Sequence, residues 1–397
     1  MRRGLRWPHR PFQVLCVLVV VLLSAAFSPH DTASDSHPGG RPIPDKPNLG
    51  SLGERLNANT IAIVSGNPNA TYLSIAYDLS DVLDDGDNFR VLPVVGKGGG
   101  QNLRDVRYLK GIDLGITQSI ILNGFRASNE IGAIGDSIVY IAKLFNEEMH
   151  VVVRADSGIT SLEQLDGKKV NFSDIGSGSQ LSTRDVFRRL GIHPQEVNMG
   201  QADALVKLKS GELAATILIA GKPAGVMTKL RAADGLRLLP VPFAKPLQSD
   251  YLPAVLGHAD YPGTIEDGHD VNTVAVSAVL IAYNWPQDSD RYRRIAKFVD
   301  VFFPRLSELQ KPPHHPKWRE TNLAAVLPGW TRFPAAQEWL EKNRGKQPAV
   351  AGAPKSQEFD QFLAARHVSG TGADAAGPDQ RERLYREFLE WQARERH

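Results

Sequence analysis

Residues 61–83 read IAIVSGNPNATYLSIAYDLSDVL, and this stretch decides the fold. The run 61–64 is short, apolar and partly β-branched, the pattern of a buried strand. It ends in the turn-rich sequence SGNPNATY (65–72). Beyond it Leu73, Ala76, Leu79 and Leu83 recur at helical spacing. Residues 89–95 (FRVLPVV) then read as a second strand. Strand, loop, helix, strand is the repeating unit of an α/β protein.

The alternation continues toward the C-terminus. The sequence predicts a helix over 103–109, strands over 114–116, 138–144 and 150–153, and a helical turn over 162–165. A strand over 170–172, helices over 181–190 and 202–209, a strand over 214–218 and a helix over 224–232 follow. Such alternation argues mainly parallel sheets. Two runs, before and after about Met149, argue two lobes: 57–148 for the first part of one, 149–245 for the other, and 246–310 for a return to the first. Within the return, 273–283 leads to an amphipathic helix over 288–303 with Tyr292, Ile295, Phe298, Val299 and Phe302 on one face. Residues 311–368 form a Trp- and Pro-rich arm, in which Trp318, Trp330 and Trp339 anchor irregular chain to the body. A short helix is expected over 357–367, a flexible stretch over 369–377 and a charged helix over 381–396, within a terminal segment 369–397.

Toward the N-terminus, residues 29–56 are rich in Pro, Gly, Ser and Asp and read as a linker. Before them, Arg2, Arg3, Arg6 and Arg10 precede the apolar run 14–23 and the small residues 24–26. A basic flank, an apolar stretch too short for an ordinary membrane span and small residues for cleavage describe an export signal over 1–28, with an uncleaved anchor as the alternative. Either way the positive flank stays cytoplasmic and the body lies in the periplasm or another extracytoplasmic space.

Composition narrows the chemistry. Among 397 residues, 46 basic against 44 acidic side chains leave a net charge of +2, so no global field would hold nucleic acid. The one cysteine, Cys16, lies in the N-terminal apolar run, which excludes an intramolecular disulfide and a thiolate nucleophile in the body. Neither a G-x-S-x-G elbow nor H-E-x-x-H occurs, and His314-His315 sits among prolines without the spacing of metal ligands. We therefore expect no enzyme activity, no metal and no cofactor.

Three polar, glycine-containing loops each follow an expected strand: 65–72, GKGGGQN (96–102) and SDIGSGSQ (173–180). The carboxyl ends of strands border the ligand crevice of open α/β sheets, and the N–H groups of the helix that follows favour an anion there. Lys97 and Lys222, each in a Gly-containing loop, would add a point charge for a carboxylate, or else sit solvated on the surface. Tyr72 would donate to a ligand or pack as an interfacial core residue.

With those residues in view, the chain resembles the TAXI family, the extracytoplasmic solute-binding subunits of tripartite ATP-independent periplasmic (TRAP) transporters. The resemblance rests on 61–72, the glycine loop with Gln101, Asn102 and Leu103, DLGITQS (113–119), and above all HVVVRADSGITSLEQLDGKK (150–169). GSGS (176–179), GKPA (221–224), YLPA (251–254), YPG (261–263) and TVAV (273–276) follow in the same order. It implies an α/β, type II periplasmic-binding-protein fold, two α/β lobes joined by crossover strands around a ligand cleft, here with a C-terminal helical extension. It also implies a small carboxylate or amino-acid ligand, glutamate- or dicarboxylate-like, delivered to TRAP-type permease subunits. By position the family's ligand residues fall on Asn69, Thr71, Tyr72, Gln101, Asn102, Gln118, Ser119, Ser177, Ser179, Gln180, Gly221, Lys222 and Pro223, to which the residue reading adds Lys97. Asn69-Ala70 stands where the family usually has two glycines. A membrane-tethered ligand sensor without a transport role is the alternative function.

Overall fold

The computed structural model describes residues 49–68 and 70–343. The expected signal or anchor, the linker up to residue 48 and the elements expected at 357–367, 369–377 and 381–396 lie outside the described residues.

Strand β1 (Thr60–Val64) organises the first lobe. Successive side chains of a strand face opposite sides. Ile61 and Ile63 accordingly enter one core, and Ala62 and Val64 another. A strand apolar on both faces must be covered on both. Helix α2 (Thr71–Leu83) covers the first with Tyr72, Ile75, Leu79 and Leu83, and α3 (Gly99–Tyr108) covers the second with Leu103 and Val106. Strands β2 (Arg90–Val94) and β3 (Leu114–Gln118) flank β1, parallel to it.

The remaining strands are β4 (Ile138–Arg154), β5 (Lys169–Asn171), β6 (Gln195–Val197), β7 (Ala215–Ala220), β8 (Leu236–Leu239), β9 (Leu252–Gly257) and β10 (Asp270–Tyr283). One sheet runs through the molecule in the order β2-β1-β3-β10-β4-β7-β5-β6, with β8 on β4 and β9 on β10. β4 and β10 are the crossover strands. The first part of β4 pairs with β10, and its last residues, from Glu148 on, pair with β7. Both run antiparallel to their neighbours, so the sheet is mixed rather than mainly parallel. This is the two-lobed α/β arrangement that the type II periplasmic-binding fold implies.

Three other expectations are corrected. The two strands expected over 138–144 and 150–153 are one 17-residue strand. The pair Glu147-Glu148 falls between the two expected strands, but both carboxylates find partners inside the protein and the strand continues through them. Residues 224–232 form successive turns, not a helix. The Ala224 N–H goes to the Tyr261 hydroxyl, and Gly263 packs directly on the backbone at Leu230, so tertiary contacts override the helical spacing. Residues 49–56, assigned to the linker, begin a helix, α1 (Leu49–Asn59), tied down by Arg294 donating to the Asn57 carbonyl. A helix with no counterpart in the sequence reading, α4 (Ser119–Ser128), follows β3 without a loop.

In the second lobe α5 (Gly178–Leu190) and α6 (Gln201–Lys209) pack on β7. The helix after β10 is α7 (Asp290–Phe302), capped by the Ser289 hydroxyl, and its five expected residues are all buried. Two further helices are α8 (Leu306–Leu309) and α9 (Pro334–Lys342). Between them, residues 311–333 wrap the body. Trp318 is fully buried against Phe302, its indole N–H 2.8 Å from Asp78 Oδ2, and Arg332 lies 4.6 Å over the Tyr140 ring.

Candidate functional site

The parallel strands of each lobe end toward one crevice, where their loops enclose a cavity of about 760 Å³. Asn67, Thr71, Tyr72, Lys97 and Gln118 line it from the first lobe. Ser173, Asp174, Ser177, Ser179, Gln201 and Lys229 line it from the second, and Glu147 lies between them on β4. Four helices begin at this wall: α2 at Thr71, α3 after Gly98, α5 after Ser177 and α6 after Gly200. The first turn of a helix presents unmatched N–H groups and a partial positive charge, so these four termini favour negative charge, while Glu147 and Asp174 in the same wall oppose it.

The lobes touch around the cavity. Gly99, at φ 54°, packs on the start of α5, where a Cβ on Gly99 would lie 2.6 Å from the Gly178 Cα. Only glycine fits there, for both backbone angle and space. Gln101 N donates to Gly176 O at 3.4 Å, Thr71 Oγ1 to Gly221 O at 3.2 Å and Ser182 Oγ to Gln118 Oε1 at 2.5 Å, all from one lobe to the other.

Buried acids sit where β4 passes between the lobes. Glu147 Oε2 accepts from the Tyr72 hydroxyl at 2.5 Å and from Gln118 Nε2 at 2.9 Å. Burial raises its pKa to about 8 against the pull of those two hydrogen bonds, with Glu148 adding to the rise. Burial and the neighbouring carboxylate also hold the Tyr72 hydroxyl well above its ordinary range. Glu148 points to the other side of the strand. Its Oε1 meets Lys317 Nζ at 2.6 Å and its Oε2 accepts from Lys222 N at 3.0 Å, while Lys317 also binds Glu320 at 2.6 Å. Burial raises Glu148 to about 6, and the Lys317 ammonium limits the rise.

A model of the NMT1-like family matches residues 63–331, which span both lobes and the first part of the arm. The chain belongs to the NMT1-like family. Solved structures to which it is similar include the periplasmic binding protein BugD, at 13% identity and a TM-score of 0.43 over 72% of this chain and 95% of that one. A periplasmic transporter matches at 14% identity and a TM-score of 0.44, covering 78% of this chain and 97% of the other. The effector-binding domain of QuiR in complex with shikimate matches at 12% and 0.36, over 60% and 94%.

In this NMT1-like protein, Thr71, Tyr72, Lys97, Gln118, Ser177 and Ser179 of the expected set line the cavity. The others are placed elsewhere. Asn102 is buried behind the wall and donates to the carbonyls of Val64, Ser65 and Ile116. Gln101 accepts from Lys97 N and so braces the glycine loop. Ser119 opens α4 outside the lining. Gln180 bonds Glu196 and Asn198. Lys222 Nζ is taken by Asp260 and the Val255 carbonyl, and Gly221 and Pro223 also lie outside the lining. Asn69 lies outside the described residues. Glu147, like Gln201 and Lys229, is a lining residue that the sequence reading does not reach. Its one signal is a pair of acids inside the apolar run 138–153, IVYIAKLFNEEMHVVV, where unpaired charge is costly.

Proposed function

We propose that this protein is a solute receptor that captures a small organic acid or amino acid, glutamate- or dicarboxylate-like, and releases it unchanged to a membrane permease of the TRAP type. One observation carries the reading: a cavity walled by both lobes, with four helix N-termini at its surface. A carboxylate there satisfies N–H groups that otherwise need water, and bridging both walls favours the state in which the lobes meet. Binding then reports itself as closure, and the closed surface is what a permease would recognise. The resemblance to TAXI receptors supports the permease class, and the N-terminal sequence supports an extracytoplasmic location.

The test is thermal unfolding of the full chain with glutamate, glutamine, 2-oxoglutarate, succinate and malate. A ligand at 100 times its Kd adds about 2.7 kcal/mol, which raises the midpoint visibly. Recovery of the acid unchanged after incubation separates a receptor from an enzyme. A cooperative transition unmoved by all five refutes the ligand class.

A further inference from the structure

Glu147 is a buried acid in a wall that also carries four helix N-termini, the cations Lys97 and Lys229 and a second carboxylate, Asp174. Its side chain is 3% exposed and lines the cavity. The hydrogen bond from Gln118 has a fixed sense. Gln118 Oε1 accepts from Ser182, so the Gln118 amide nitrogen must donate, and it does so to Glu147 Oε2, where the Tyr72 hydroxyl also donates. With Gln118 and Tyr72 both placed on Oε2, Oε1 is the oxygen left to carry a proton toward a ligand.

The charged groups nearby do not neutralise Glu147 in its ionised form. Lys317, from the arm, is already paired with Glu148 and Glu320. Glu148 is a like charge on the opposite face of the same strand. β10 offers Val276 opposite Glu147. α2 offers Tyr72 and β3 offers Gln118, both neutral. Lys97 lines the cavity from the loop after β2. A ligand carboxylate and an ionised, buried Glu147 would place two like charges side by side, which is unfavourable.

We propose that Glu147 is a ligand-binding residue of this cavity and that an organic anion is bound together with a proton held on Glu147, the carboxyl O–H donating to the anion. No covalent bond changes; the complex contains one anion and one proton. The burial that lifts this carboxyl to about 8 means that the proton is already in place at neutral pH and must be taken up from solution above it. The inference rests on the receptor reading and names the form of the site that binds.

The experiment is isothermal titration of the full chain with succinate, 2-oxoglutarate and malate at pH 7 and pH 9, each in two buffers of different ionisation enthalpy. These acids carry no amine and do not titrate in that range, so any proton exchanged belongs to the protein. The wild type should bind about tenfold more weakly at pH 9, with uptake approaching one proton per ligand. E147Q should show neither the pH dependence nor the uptake. Affinity that is flat or rises toward pH 9 in the wild type overturns the proposal, and that measurement needs no variant. A difference titration between ligand-free wild type and E147Q supplies a second readout: one extra group near pH 8 is expected. Binding accompanied by a Glu147 that titrates with ordinary carboxylates overturns the proposal alone. Absence of binding by all three acids refutes the receptor reading for dicarboxylates and the proposal together.

Discussion

Removing Lys317 should destabilise the protein more at alkaline than at acid pH. Its ammonium is 1% exposed and lies 2.6 Å from both Glu148 and Glu320, which are 4% and 13% exposed. Lys317→Met leaves two carboxylates buried without their cation, a change that typically costs about 3–5 kcal/mol. That is a large fraction of the ~5–15 kcal/mol stabilising an ordinary domain. The pH dependence follows from Glu148. Its folded pKa, about 6, already lies above the ordinary carboxylate value of 4.5, and loss of Lys317 raises it further. A carboxyl raised in the folded state contributes its stability fully below the unfolded pKa and loses it as pH rises through the folded one. The K317M penalty should therefore be smallest near pH 5 and grow toward pH 8, by up to about 1.4 kcal/mol per pH unit. Urea unfolding at pH 5, 6.5 and 8 reads this directly. The triple variant K317M/E148Q/E320Q should recover most of the loss, because each glutamine keeps an oxygen for Lys222 N or Asn146 N. A K317M penalty under about 1 kcal/mol, or one constant across pH, would refute the account of a desolvated charge network.

Three further outcomes are expected. Gly99→Ala introduces a Cβ where the Gly178 backbone already lies, so the lobes should no longer meet. Small-angle scattering should show a larger radius and calorimetry at least tenfold weaker ligand binding, with an unchanged far-ultraviolet spectrum. Tyr72→Ala should weaken binding while the fold persists, and unchanged affinity would return Tyr72 to a purely packing role. Trp318→Ala empties a fully buried site and removes the bond to Asp78, and should cost about 3–5 kcal/mol in urea unfolding. A small loss there would show that the arm is not integral to the first lobe.

Much of the scaffold is legible in the chain because its signals are local. The double-faced apolar strand at Ile61–Val64, the spacing of Leu73, Ala76, Leu79 and Leu83, and the one-faced helix with Phe298 and Phe302 follow from periodicity alone. Where the reading departs, a distant partner intervenes. Glu147 and Glu148 fall between two expected strands, but Tyr72, Gln118 and Lys317 come to meet them from elsewhere in the chain. Residues 224–232 carry helical spacing, but Tyr261 and Gly263 hold them in turns.

The candidate site divides in the same way. Sequence showed polar loops ending the strands of two lobes, with Thr71, Tyr72, Lys97, Ser177 and Ser179 on them, and resemblance added Gln118; all six line one crevice. Tertiary structure decided which loop residues serve the scaffold instead, as with Lys222, claimed by Asp260, and Asn102, claimed by three carbonyls. It also decided that Glu147 faces the cavity. The physical reason is that a side chain's type is written in the sequence, whereas its solvation and its partners exist only after strands far apart in the chain have been brought together.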